Sequence, residues 1–148
     1  MALGSQSTNA EIVMPTVFRV MRKDFDNLPT VNQTSLGVRP GTDVDLDAQN
    51  NVLVNGKGMS VSPNWRNINI HRIPKRLRPL LAGAGGSNTW FCFRTGSGPF
   101  QQGSLATGLT LEPDSATHGN VVPVQIVPLT TYAANLTATR SDWVEDET

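Results

Sequence analysis

Several features that would announce a function directly are missing from this 148-residue sequence. A single cysteine, Cys92, excludes an intramolecular disulfide and a cysteine-rich metal site. The two histidines, His71 and His118, show no His-x-His or HExxH spacing, so a closed zinc site would need carboxylates as well. Net charge is absent: 12 Lys and Arg offset 12 Asp and Glu, and nothing in that balance asks for nucleic acid or an anionic membrane. No stretch approaches the roughly 18 apolar residues of a membrane span. The opening MALGSQSTNAEIVMP has neither the basic start nor the apolar run of a signal peptide, so export is expected to bypass the Sec route. Gly56-Lys57-Gly58-Met59-Ser60 comes near a phosphate loop but lacks the G-x-x-x-x-G-K-[ST] frame. Gly83-Ala84-Gly85-Gly86 leads into a strand, not the helix of a dinucleotide fold. No G-x-S-x-G elbow presents a serine nucleophile.

What is present describes a folded, soluble chain: 38% apolar and 16% charged residues, at the length of one domain. Residues 1–14 are small and polar and read as a loose arm, 15–144 as the domain, and 145–148 as a frayed acidic tail. Strands are predicted at Val17–Met21, with Arg19 opposite Phe18 and Val20, and at 52–54, 89–93 and 109–111. Val121–Pro128 reads as a closing strand whose prolines suit an edge or a bulge. Asp24–Pro29 reads as a short helix or turn, 36–41 as extended, and 96–103 as a glycine-rich loop. Asp43, Asp45 and Asp47 alternate with Val44 and Leu46, as on a strand edge with one acidic face. A calcium loop would need the later glycine and glutamate that this stretch lacks. From Leu129 to Trp143 apolar residues recur three or four apart, predicting one long helix capped by Thr130 or Thr131. The sum is a loop-rich α+β domain.

Five of the twelve basic residues fall between Arg66 and Arg78, where Pro74 and Pro79 forbid a long helix. This stretch reads as a solvated loop, as a site for an anionic ligand such as a dinucleotide pyrophosphate, or as a docking face for an acidic partner. RNA fits it poorly, because aromatics are not interleaved with the cations. Cys92 in the string Trp90-Phe91-Cys92-Phe93 suits a small buried thiol, Trp65 suits core packing, and Arg140 with Trp143 suits a stacked structural pair.

The order of the pieces carries a resemblance. F-R-V at 18–20 is followed by L-G-V-R-P-G-T-D-V at 36–44 and G-K-G-M-S-V-S-P at 56–63. The basic proline segment, W-F-C-F at 90–93, T-H-G-N-V-V-P at 117–123 and L-T-A-T-R-S-D-W at 136–143 complete it. From about Phe18 to Trp143 this order resembles the type VI secretion toxin family whose domain has an ADP-ribosyltransferase-like fold. The resemblance implies two crossed β-sheets with a cleft for NAD. It also implies a toxin acting in the cytoplasm of a target cell, a macromolecular acceptor, and a cognate immunity (antidote) protein.

On that resemblance Arg19 would pair with an NAD phosphate, and Ser60 and Ser62, on one strand face, would line the cleft with Arg72 of the basic segment. His118 would hydrogen-bond the ribose or the acceptor. The family pattern also wants a late glutamate, and here the sequence departs from it. Between Ser62 and Arg140 the carboxylates are Glu112 and Asp114, while the expected position offers Asn120 or Gln125. A carboxylate stabilises the positive charge that builds on the ribose, and losing such a preorganised group commonly costs roughly a hundredfold. Either Glu112 or Asp114 serves, or the domain is a weak transferase or NAD glycohydrolase, or it binds without turnover. The bland readings remain beside these: Arg19 as a strand salt-bridge residue, Ser60 and Ser62 as edge hydroxyls, His118 as a turn cap. A non-catalytic toxin or interaction module would bind its target through the basic loop.

Overall fold

A computed structural model describes residues 13–31 and 39–148; the expected arm over 1–12 and the extended stretch at 36–38 lie outside them. Short β-branched and aromatic segments produce nine strands among the described residues. They are β1 (Val17–Arg22), β2 (Asn51–Val52), β3 (Met59–Val61), β4 (Trp90–Thr95), β5 (Gly103–Ala106), β6 (Leu109–Pro113), β7 (Gly119–Pro123), β8 (Val127–Pro128) and β9 (Val144–Glu145). Among the described residues one α-helix, α1 (Leu129–Thr137), accompanies 3-10 turns at Trp65–Asn67, Lys75–Leu77 and Arg140–Asp142. The result is a mostly-sheet α+β domain, in which no helix among the described residues is long and apolar enough to cross a membrane.

Among the described residues the ladders between these strands are antiparallel, in three sheets rather than the expected two: β1-β4-β9, β3-β7-β6-β5 and the small pair β2-β8. β1 pairs with β4 from Val17 opposite Thr95 to Arg22 opposite Trp90. It is covered on both faces, which is why its apolar residues run on without clean alternation. Val17 and Met21 join the main core with Met59, Val61, Phe93, Leu109, Leu111, Val121, Tyr132, Leu136 and Trp143. Phe18 and Val20 join a second core around Trp65, Ile73, Leu77 and Cys92. Fully burying each such side chain contributes about 1.5–3 kcal/mol.

Several expectations are corrected. The Val121–Pro128 segment splits into β7 and β8, and β7 lies inside its sheet, not at an edge. Gly103 begins a strand instead of closing a loop. The alternating aspartates form no continuous strand, because each carboxylate has its own local partner: Asp43 with Arg39, Asp45 with Lys57 and Asn55, Asp47 with Asn51. Of the two readings of Asp24–Pro29, short helix or turn, the turn holds, with Asn27 at φ 68°. The helix stops at Thr137 and its N-cap position is Pro128, with no capping side chain. Arg140 does not stack on Trp143. It donates to Pro29 O at 3.0 Å, Asp24 at 2.8 Å and Asp26 at 2.7 Å, while Trp143 Nε1 donates to Thr139 Oγ1.

The acidic tail is docked rather than frayed. Cys92 N and Arg76 Nη2 both donate to Glu147 Oε2, at 3.0 and 2.6 Å. Arg94 Nε reaches Asp146 at 2.9 Å, and Arg66 Nη1 reaches Thr148 O at 3.0 Å. A run of like charges reads as solvated in a sequence; here the cations of the basic stretch and of β4 stand opposite it.

Candidate functional site

The two larger sheets are stitched together at one corner. Phe18 N donates to Ser62 O at 2.7 Å and Ser62 N to Phe18 O at 3.0 Å, an antiparallel bridge between β1 and the residue just past β3. Beside this junction lies a cleft of about 250 Å3 whose wall includes Arg19, Ser60, Ser62, Arg72 and His118. Those residues are scattered over a hundred positions of sequence, and five of the six candidate site residues meet there.

Each is held for a local reason. Arg19 is 7% exposed and its Nη1 donates to Ser60 O at 2.7 Å, tying β1 to β3. Desolvation, and then the neighbouring charge of Arg72, lower its pKa to about 10, against the opposing pull of Asp43 and Tyr132; it keeps its charge at neutral pH. Ser60 sits mid-strand between buried Met59 and Val61, which turns its side chain to the open face. Arg72 is brought to the wall by a close backbone crossing. A Cβ at Gly86 would lie 2.5 Å from the carbonyl of Arg72, so only glycine permits that approach. The Arg72 side chain makes no hydrogen bond or ion pair among the described residues. Two guanidinium groups and no carboxylate in the wall give the cleft the charge that suits an anion.

Three of the other four cations of this stretch, Arg66, Arg76 and Arg78, are engaged within the chain. Arg66 lies 4.3 Å over the Trp65 ring and bonds Thr148 O. Arg76 bonds Asn88 O, Trp90 O and Glu147 and lies over Phe91, and Arg78 Nε donates to Ala84 O at 2.7 Å. Arg76 and Arg78 are therefore fastened to the fold, and Arg72 is the cation of this stretch turned to the cleft.

Glu112 does not line the cleft. It stands in one cross-strand row with Ser60 and Asn120, since Ser60 pairs with Asn120 and Asn120 with Glu112. Cross-strand partners share a face, so the row crosses the open face of the sheet, with Glu112 about 10 Å, or two strand spacings, from Ser60. His118 ends the β6–β7 loop, its Nδ1 lying 2.9 and 2.8 Å from the two carboxylate oxygens of Asp114.

Comparison with known proteins found no matching protein-family model, no matching curated protein and no matching solved structure. The chemistry of the site therefore stands on its own residues. Asn67, Ile68 and Asn69 also line the cleft and went unnoticed in the sequence. Their signal is slight: Asn64 Oδ1 accepts from Arg66 N to cap a 3-10 turn, and the turn presents the next residues to the wall. A wider groove of about 700 Å3 runs past Met14, Ser104 and Val124, but Asp142 is the titratable residue in its lining and no cation joins it. Size alone does not make it the functional site.

Proposed function

We propose that this domain is an ADP-ribosyltransferase-like toxin that takes NAD as substrate and transfers ADP-ribose to a macromolecular acceptor, with hydrolysis by water as the leaner reaction. The observation that carries this reading is the meeting of Arg19, Arg72, Ser60 and His118 in one carboxylate-free cleft beside the Ser60–Asn120–Glu112 row. In it the two guanidinium groups take the pyrophosphate, and Ser60 offers its hydroxyl to the nicotinamide ribose. Glu112, reached across Asn120, supplies the negative charge that the ribose cation needs in the transition state. At about 250 Å3 the cleft falls below the ~300–1,000 Å3 usual for small-molecule pockets, so NAD is enclosed in part and extends along the row toward Glu112. In the setting of such a toxin the domain works in a target-cell cytoplasm, and a cognate antidote protein silences it.

The test is NAD loss and nicotinamide release in cells induced to express the protein, beside Arg72→Ala, Ser60→Ala and Glu112→Gln. The first two positions are exposed and the third is half-buried, so the variants are expected to keep the fold, as circular dichroism would verify. NAD loss that Arg72→Ala and Ser60→Ala abolish, and that Glu112→Gln slows by roughly a hundredfold, is the expected result. Growth arrest with NAD unchanged would refute turnover and leave a toxin that acts by binding.

A further inference from the structure

The loop between β6 and β7 holds an acid–imidazole pair in a defined geometry. Asp114 N and Ser115 N donate to His118 O at 3.0 and 3.2 Å, and Thr117 N donates to Ser115 Oγ at 3.2 Å, so the backbone around the pair is fixed. Both Asp114 oxygens face His118 Nδ1. A carboxylate can only accept, so in the neutral ring Nδ1 carries the proton and Nε2 offers its lone pair. Nε2 has no partner among the described residues, and His118 is part of the cleft wall with Ser60 and Arg19. With side chains 41% and 52% exposed, such a pair contributes only about 0–1 kcal/mol to stability, too little for fastening the fold to explain it.

We propose that His118 is the general base of the transfer and that Asp114 is a positioning residue holding it in the Nδ1–H tautomer; this rests on NAD being the substrate. The nucleophile, water or an acceptor hydroxyl, gives its proton to His118 Nε2 as its oxygen bonds to C1′ of the nicotinamide ribose. The C1′–N bond breaks with its electron pair remaining on nitrogen, and nicotinamide leaves neutral. The positive charge of the pyridinium thus ends on the imidazolium, beside the Asp114 carboxylate. The assignment also divides the labour of the two late carboxylates: Asp114 orients the base, and Glu112 stands on the row where the ribose charge develops.

Two measurements on the purified protein test this. In the first, ring 15N NMR of His118 is followed as NAD is added. The Nδ1–H tautomer is expected in the free protein, a mixture of tautomers in Asp114→Asn, and a shift of Nε2 together with the Ser60 and Arg19 amides when NAD binds. In the second, nicotinamide release from NAD is measured. His118→Ala should lower kcat by about 100-fold or more with KM little changed, and added imidazole should restore part of the rate. Asp114→Asn should lower kcat by at least about tenfold through loss of tautomer control. An Nε2–H tautomer in the wild type, an unchanged kcat in His118→Ala, or a raised KM without imidazole rescue overturns the base assignment. Shifts of the Ser60 and Arg19 amides would leave NAD standing as the ligand in each of those cases. If NAD moves none of these resonances, the substrate and the step fall together.

Discussion

Tyr132→Phe removes one oxygen from the centre of the molecule. Tyr132, on α1, is fully buried, and its hydroxyl stands between two strands. It donates to Val121 O of β7 at 2.5 Å and accepts from Met59 N of β3 at 3.1 Å. Met59 and Val121 are register partners at the end of the β3–β7 ladder, so the phenol bridges the pair where the ladder closes. Phenylalanine keeps the ring volume and leaves one buried carbonyl and one buried amide without this partner. Each orphaned group costs about 1–3 kcal/mol, and with the ring still in place the lower part of that range applies to both, giving about 3 kcal/mol. For a chain of this length, where each kcal/mol moves Tm by about 2–4 °C, that is a fall of about 6–12 °C. Thermal and urea unfolding by far-UV circular dichroism measure it, with an unchanged m-value expected. The change also reaches the cleft, because Ser60 follows Met59 and its carbonyl holds Arg19. A Phe variant within about 0.5 kcal/mol of wild type would refute the view that the phenol closes this ladder.

Two further outcomes follow from the same region and from the second core. Gly58→Ala would place a Cβ 2.2 Å from Val121 O and 2.9 Å from the Tyr132 hydroxyl. It should destabilise by more than about 3 kcal/mol or abolish soluble expression, whereas Gly56→Ala, at φ 85° in open space, should cost only about 1 kcal/mol in the same unfolding assay. Burial, and then the charge of Glu147, push the Cys92 thiol from 9.0 up to about 12. Because the folded value is the higher one, its contribution is fully present below pH 9 and is lost as pH rises toward 12, by up to about 4 kcal/mol. Cys92→Ala should flatten that part of the stability curve in urea titrations. A slope should persist above pH 10, where burial raises Tyr132 in the same direction, to about 12.

Much of the scaffold was legible because its signals are local. β-Branching and aromatic runs marked β1, β4 and β6, and prolines kept the basic stretch out of a long helix. Arg19, Ser60, Ser62, Arg72 and His118 could be singled out one at a time by residue type and by resemblance. Where the pattern misled, a side-chain partner outside the pattern was responsible. The aspartates at 43, 45 and 47 looked like one acidic face until each found its own neighbour. The tail at 145–148 looked solvated until Arg76, Arg94 and Arg66 were set against it, and Arg140 turned from Trp143 toward Asp24 and Asp26. Periodicity reports which face of an element is apolar but not what covers it.

The sequence by itself determined an α+β chain of short strands and singled out candidate site residues, since strand propensity, turn residues and side-chain identity are properties of neighbouring positions. Only the tertiary structure decided that Arg19 and Arg72 share a wall with Ser60 and His118, that Arg76 and Arg78 are fastened elsewhere, and that Glu112 stands two strands from Ser60. Those facts depend on contacts beyond neighbouring positions, most of them between residues far apart in the chain, and register and packing bring such residues together.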